Sequence, residues 1–286
     1  IGPDISEEHK EFVYSGEPIH IPFKVEGLSE SKSDFGLIIF VDGNPQPFKI
    51  QKKDGSTKNE DFMHKFSLNN NEVELFDIVF TPKAGKEGDR VGIVFATIFK
   101  PDFIPKSKDN PSYGNYHSIA ATIPQTLHFK KEVLNNEERM FNELIEEDIS
   151  KDVIDRYARY GSRTSMLDNT VINAVLPEGI DEELDNNIFT SENNKLKFRF
   201  RIMGGPDGLN YRTVIYINHK PIEIMDFSSI GTKVKKGKMY TAEFELDTSD
   251  YDQLSTIYAI SNPIGEGYMS QVSFPIKTKS GLIVSQ

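Results

Sequence analysis

Residues 37–50, LIIFVDGNPQPFKI, and residues 213–226, TVIYINHKPIEIMD, are two versions of one pattern. Each is an apolar run that reaches Asp42 or Asn218, turns, meets Pro45 or Pro221, and continues partly apolar. Asp and Asn tolerate the left-handed backbone of tight hairpin turns, and Pro fixes φ just after it. The pair predicts one hairpin built twice.

The correspondence extends outward on both sides. With Phe12 placed over Phe189, Ile19, Ile21, Phe23 and Val25 fall on Leu196, Phe198, Phe200 and Ile202, and Gly27 falls on Gly204. The matches occupy alternate residues, which is the period of a strand with one buried face. After a gap of one residue, Ile38, Ile39, Phe40 and Val41 fall on Val214, Ile215, Tyr216 and Ile217. Later, VFATIFKP ending at Pro101 matches IYAISNP ending at Pro263, and PQTLHF (124–129) matches SQVSF (270–274). Four matches in one order predict a tandem duplication.

The first half reads as seven short strands, at 18–25, 35–41, 47–51, 62–68, 73–81, 90–99 and 119–129. DGNP, KKDGS, NNN and PKAGKEGD separate them, and Gly, Asn and Pro supply the turn geometry. Short strands at this spacing without intervening helices indicate an antiparallel sandwich or barrel. The second half repeats the scheme from Lys195 to Lys277. Between the halves, Phe141, Leu144, Ile145 and Ile149 follow helical spacing, Asn136 and Ser150 are cap residues, and Gly161 is a stop. From Glu132 to Tyr160 there are nine acidic and four basic residues, a net of −5. The expected organisation is a sandwich over 1–132, an acidic helical linker over 133–163, and a second sandwich over 164–286. The linker's apolar stripe has to bury itself on a sandwich, and its charge suits solvent or a basic partner.

Seven strands in each half resemble the immunoglobulin-like and fibronectin-like modules of secreted or lipid-anchored Gram-positive bacterial proteins. The resemblance lies in architecture alone. The Cys–Trp–Cys core of antibody domains is missing, because the chain has no Cys and no Trp, and a jelly roll is the competing sandwich. It implies a mainly β fold of two tandem immunoglobulin-like antiparallel β-sandwiches joined by a helical linker.

Composition narrows the function. The 286 residues include 20 Phe and 11 Tyr, ample for two cores, and carry a net charge of −11. That charge disfavours nucleic-acid and anionic-membrane partners, which need clustered Lys and Arg. No apolar run approaches the ~20 residues that span a bilayer. Zero Cys excludes disulfides, zinc-thiolate sites and Cys nucleophiles. Together with the opening IGPDISEEHK, which lacks an initiator Met, it is read as an exported chain, lipid-anchored through a segment removed upstream.

Catalytic motifs are missing. His9, His20, His64, His117, His128 and His219 show no metal-binding helical spacing, and His20 is expected to face solvent. There is no nucleophile elbow, P-loop or dinucleotide fingerprint, and GKEGD and GGPDG read as turns. No pair of acids is set apart as a glycosidase would require. The acidic run Asp181, Glu182, Glu183 and Asp185 is a candidate calcium site, with a solvated loop as its alternative. Residues 100–118 form a long connection where the second half reads as the short NPIGEGY. They carry Phe103, Tyr113, Tyr116 and His117, the candidate ligand-binding residues, unless the loop folds back on its own domain. The expected function is an extracellular, non-catalytic binding or adhesion protein without a cofactor. Its partner would be a protein or glycan at the cell surface. The alternative is an accessory glycan-binding pair of a polysaccharide-processing protein.

Overall fold

The computed structural model describes residues 2–3, 11–27, 31–133, 139–159, 167–181, 187–265 and 274–285. The chain is mainly β. By contacts it divides into unit 1, Ile1–Phe103 with Asn115–Glu137, and unit 2, Ile104–Gly114 with Glu138–Gln286.

Unit 1 holds β1 (Gly2–Pro3), β2 (Glu11–Tyr14), β3 (Ile19–Glu26), β4 (Ser33–Val41), β5 (Asn44–Pro45), β6 (Lys49–Lys52), β7 (His64–Leu68), β8 (Val73–Phe80), β9 (Arg90–Phe99) and β10 (Ile119–Phe129). One sheet runs β1-β3-β8-β6 and the other β2-β10-β9-β4-β5, with β7 also on β4. β3 alternates buried and exposed residues along its whole length, with His20 exposed as expected. The inward residues of both sheets make one core. Phe23 stacks on Phe76 of its own sheet at 5.7 Å and meets Phe95 of the other at 5.3 Å. The Leu37–Val41 run is continuous instead of alternating because all five residues are buried.

Unit 2 holds β11 (Met140–Phe141), β12 (Ile145–Asp148), α1 (Lys151–Arg159), β13 (Val171–Pro177), β14 (Ile188–Glu192), β15 (Lys195–Gly204), β16 (Asn210–Ile217), β17 (Lys220–Ile222), β18 (Ser229–Lys233), β19 (Lys238–Asp247), β20 (Leu254–Ile264), β21 (Ile276–Lys277) and β22 (Gly281–Ser285). Its strands form one continuous sheet, because β14 pairs antiparallel with β15 and parallel with β22.

The duplication is visible in the pairing registers. Ile19, Ile21 and Phe23 of β3 pair with Phe80, Ile78 and Phe76. Their counterparts Leu196, Phe198 and Phe200 of β15 pair with Leu246, Phe244 and Ala242. The opening hairpin is also the same in both. Phe40 pairs with Pro45 and Tyr216 with Pro221. Both central turn residues have positive φ, +47° at Asp42 and +77° at Gly43, +48° at Asn218 and +67° at His219. That is the turn whose twist matches paired strands. His219 occupies the Gly43 position despite its side chain, and its Nδ1 lies 2.9 Å from the Tyr258 hydroxyl. Gly27 and Gly204 are matched for a physical reason. A Cβ would stand 2.1 Å from the Asn69 carbonyl oxygen at Gly27 and 2.6 Å from the Thr170 carbonyl oxygen at Gly204.

Three expectations change. First, the connector is not a helix over 133–163. β11 pairs with β18 and β12 with β19, and among the described residues only α1 is helical there. Tertiary partners override the helical spacing: Phe141 sits 5.4 Å from both Phe227 and Phe244, and Glu146 and Asp148 pair with Lys235 and Lys238 at 2.9 and 2.7 Å. Ser150 does cap α1, accepting from the Val153 amide at 3.3 Å. Asn136 and Gly161 lie outside the described residues. Second, the strand of the second half that corresponds to β10 is β22. β22 pairs parallel with β14 just as β10 pairs parallel with β2. Residues 270–273 lie outside the described residues, and Phe274 is exposed. Third, Phe99 and Pro263 hold equivalent places opposite Phe35 and Tyr211, so the Pro101–Pro263 match is two residues out of register.

Candidate functional site

The loop expected to bind is occupied by packing. Tyr113 belongs to unit 2 and is buried, with its hydroxyl 2.7 Å from Thr256 Oγ1, and burial pushes its pKa up to about 12. Phe103, Tyr116 and His117 belong to unit 1. Phe103 and Tyr116 meet edge to face at 4.4 Å, and the Lys100 ammonium lies 5.0 Å from the Tyr116 ring centre. His117 is buried with φ +62°. The four residues are therefore not one exposed patch. In the second half β21 lies between β20 and β22, and residues 266–273 are outside the described residues.

The acidic run is also committed elsewhere in part. Asp181 Oδ1 accepts from Arg199 Nη1 at 2.7 Å, which answers its charge with a cation of the protein itself. Glu182, Glu183 and Asp185 lie outside the described residues, and among the described residues no group of three metal-ligating side chains converges.

A site that sequence reasoning missed lies on the outer face of unit 2. β15 turns Leu196, Phe198, Phe200 and Ile202 into the core, so Lys195, Lys197, Arg199 and Arg201 line its other face. β19 sets acids opposite them: Glu245 faces Lys197 and Glu243 faces Arg199. Lys195 bonds Glu245 at 2.8 Å, and Arg199 Nε lies 3.6 Å from Glu243. The alternation stops at Arg201. Its row across the sheet reads Ala174, Arg201, Thr241, Ile145, with no acid in it.

Arg201 and Arg199 line a cleft of about 510 Å³. β12 contributes Ile145 and Glu147 to its wall, the start of α1 contributes Ser150 and Val153, and β19 contributes Met239. Arg201 is only 7% exposed. Its Nη1 donates to the Asp181 carbonyl at 2.8 Å, and its Nε has no partner among the described residues. A mostly buried guanidinium with one backbone acceptor and an unpartnered Nε among the described residues has hydrogen-bonding capacity left for a ligand. The cleft thus combines the two arginines with Glu147, Asp181 and Glu243, and adds the apolar walls of Ile145, Val153 and Met239. The available signal was the alternation KLKFRFR (195–201) set against YTAEFELD (240–247), whose charges can be paired once the register is known.

No protein-family model matches the chain, and no curated protein matches it. Solved structures do. A Bifidobacterium dentium β-glucuronidase is similar at 8% identity over 91% of this chain, with a TM-score of 0.26, and the chain spans 39% of that enzyme. A complex of the Salmonella enterica SafA pilin with the SafB chaperone is similar at 12% identity, with a TM-score of 0.25, over 94% of this chain and 92% of that one. The Pseudomonas aeruginosa CupB2 chaperone is similar at 8% identity, with a TM-score of 0.23, over 93% of this chain and 94% of that one.

Proposed function

We propose that the chain is a non-enzymatic binding protein of an extracellular surface. It is built from two tandem immunoglobulin-like sandwiches and takes its ligand on unit 2. The observation that carries this reading is the Arg201 cleft, which lies where the two copies of the scaffold differ. The ladders and the hairpin turn are common to both units. Among the described residues, unit 2 alone adds an edge strand, β12, to the early part of its β19 ladder. In unit 1 the equivalent residues Val73 and Leu75 pair with β3 and stay exposed. A scaffold held constant with a recess added to one copy suits recognition. The absence of Cys supports export in a bacterium that does not fold its exported proteins through disulfides.

The test is to immobilise the chain and present a glycan array and a panel of extracellular proteins. Saturable, reversible capture of an unaltered ligand is expected. Conversion of any captured ligand to product by the chain alone would refute the non-enzymatic reading.

A further inference from the structure

We infer that Arg201 anchors a small ligand bearing one carboxylate on a branched apolar body, seated between β12, β15 and β19 of unit 2. The inference rests on the binding reading above and supplies its ligand chemistry.

Charge in the cleft selects the ligand. Arg199 is answered twice, by Asp181 at 2.7 Å and by Glu243 at 3.6 Å. Arg201 has the Asp181 carbonyl and no acid in its row. A carboxylate matches the planar fork of a guanidinium and forms short, charge-assisted hydrogen bonds with it. Glu147 lines the same cleft together with Asp181 and Glu243, the two acids that engage Arg199, so a doubly charged phosphate or sulfate would meet more repulsion there than a single carboxylate. Ile145, Val153 and Met239 offer apolar contact to the rest of the molecule, and about 510 Å³ is room for a small ligand.

The other copy of the scaffold provides an internal comparison. The alignment that places Ile21 over Phe198 places Lys24 over Arg201. Lys24 is exposed and lies 3.6 Å from Glu26. A cation at this position is thus solvated and paired in unit 1, and mostly buried in unit 2, where no ion pair to it is formed among the described residues.

The experiment follows arginine Nε–Hε resonances of the full chain by NMR while adding N-acetyl-leucine, leucine or N-acetyl-leucinamide. The Arg201 resonance is the one missing in Arg201→Gln. It is expected to shift saturably with N-acetyl-leucine, and Arg201→Gln is expected to weaken binding at least about tenfold, the loss of a charge-assisted bond. Leucine binding more tightly than N-acetyl-leucine would point to a free amino acid beside Glu147, and weaker binding to a blocked carboxylate; both support the inference. A second variant, Thr241→Glu, places an acid opposite Arg201 in its row and is expected to abolish binding while the circular dichroism stays that of the wild type. Equal binding of the neutral amide, or no shift with either acid, overturns the inference. Capture of a surface ligand that Arg201→Gln leaves unchanged removes this site while the broader binding reading stands.

Discussion

His64 makes unit 1 sensitive to acid, by an amount that follows from its surroundings. The imidazole is buried on β7, stacked on Phe66 at 5.9 Å and edge-on to Phe76 at 5.3 Å. Its Nε2 has no hydrogen-bond partner among the described residues. Burial, reinforced by the charges of Lys58 and Lys52, lowers its pKa from 6.5 to about 4. A depressed folded-state pKa means that the unfolded chain binds the proton first, so stability is full above pH 6.5 and is lost as pH falls toward 4. At pH 5 the loss from this group is about 2 kcal/mol, and below pH 4 it approaches about 3 kcal/mol, at 1.36 kcal/mol per pKa unit. Replacement with Phe keeps an aromatic ring between Phe66 and Phe76 and removes the proton site. Urea unfolding of wild type and His64→Phe at pH 7.5 and pH 5 isolates the effect. Exposed carboxylates held low by local hydrogen bonds, such as Asp54 and Glu72, also lose their contribution in acid, but equally in both proteins. The wild type is expected to lose about 2 kcal/mol more than the variant. Equal losses would show that His64 is solvated or hydrogen-bonded in the folded chain, and the burial account would fail.

Tyr113 is expected to behave as core. Tyr113→Phe removes the hydrogen bond to Thr256 at a cost of about 1 kcal/mol, and Tyr113→Ala costs about 3–5 kcal/mol by leaving a cavity. An unchanged melting temperature for Tyr113→Ala would return the ring to the list of surface contacts. Gly204→Ala meets both a left-handed φ of +76° and the Thr170 carbonyl oxygen at 2.6 Å, whereas Gly208→Ala, at φ +87°, meets open space. Chemical denaturation should therefore show a cost of at least about 2 kcal/mol at 204 and about 1 kcal/mol at 208. Equal costs would remove the close approach as the reason for the matched glycine.

What the sequence disclosed and what it hid divide along a physical line. The β3 and β15 ladders were legible because a one-sided strand writes its buried face into every second residue, and the hairpins because Asp42 and Asn218 carry the turn geometry themselves. The connector was not legible because β11 and β12 are strands only by virtue of their partners. Phe141 is placed by Phe227 and Phe244, and neither lies near it in sequence. β22 was not legible because its decisive feature is spatial: a Cβ on Gly281 would stand 2.1 Å from the Phe189 ring. The binding loop misled for a related reason. Aromatic residues in a long connection have the same composition whether they face solvent or, like Tyr113, pack beneath it.

Lys24 and Arg201 show how an unchanged scaffold acquires a site. Lys24 pairs with Leu75 of β8 as Arg201 pairs with Thr241 of β19, so the ladder treats them alike. What differs is the strand added at the edge. In unit 1, β6 pairs with the later part of β8, and Lys24 stands in water, where its pair with Glu26 contributes at most about 1 kcal/mol. In unit 2, β12 pairs with the early part of β19, which places Ile145 in the row of Arg201, and the side chain there is mostly buried. A lysine so enclosed could shed its proton and become neutral. An arginine stays a cation. The cleft therefore keeps a permanent charge that, among the described residues, is hydrogen-bonded only to the Asp181 carbonyl. An entering carboxylate adds to that interaction without any rearrangement of the strands. Pattern and turn chemistry can locate such a scaffold, but the site depends on which edge an added strand covers.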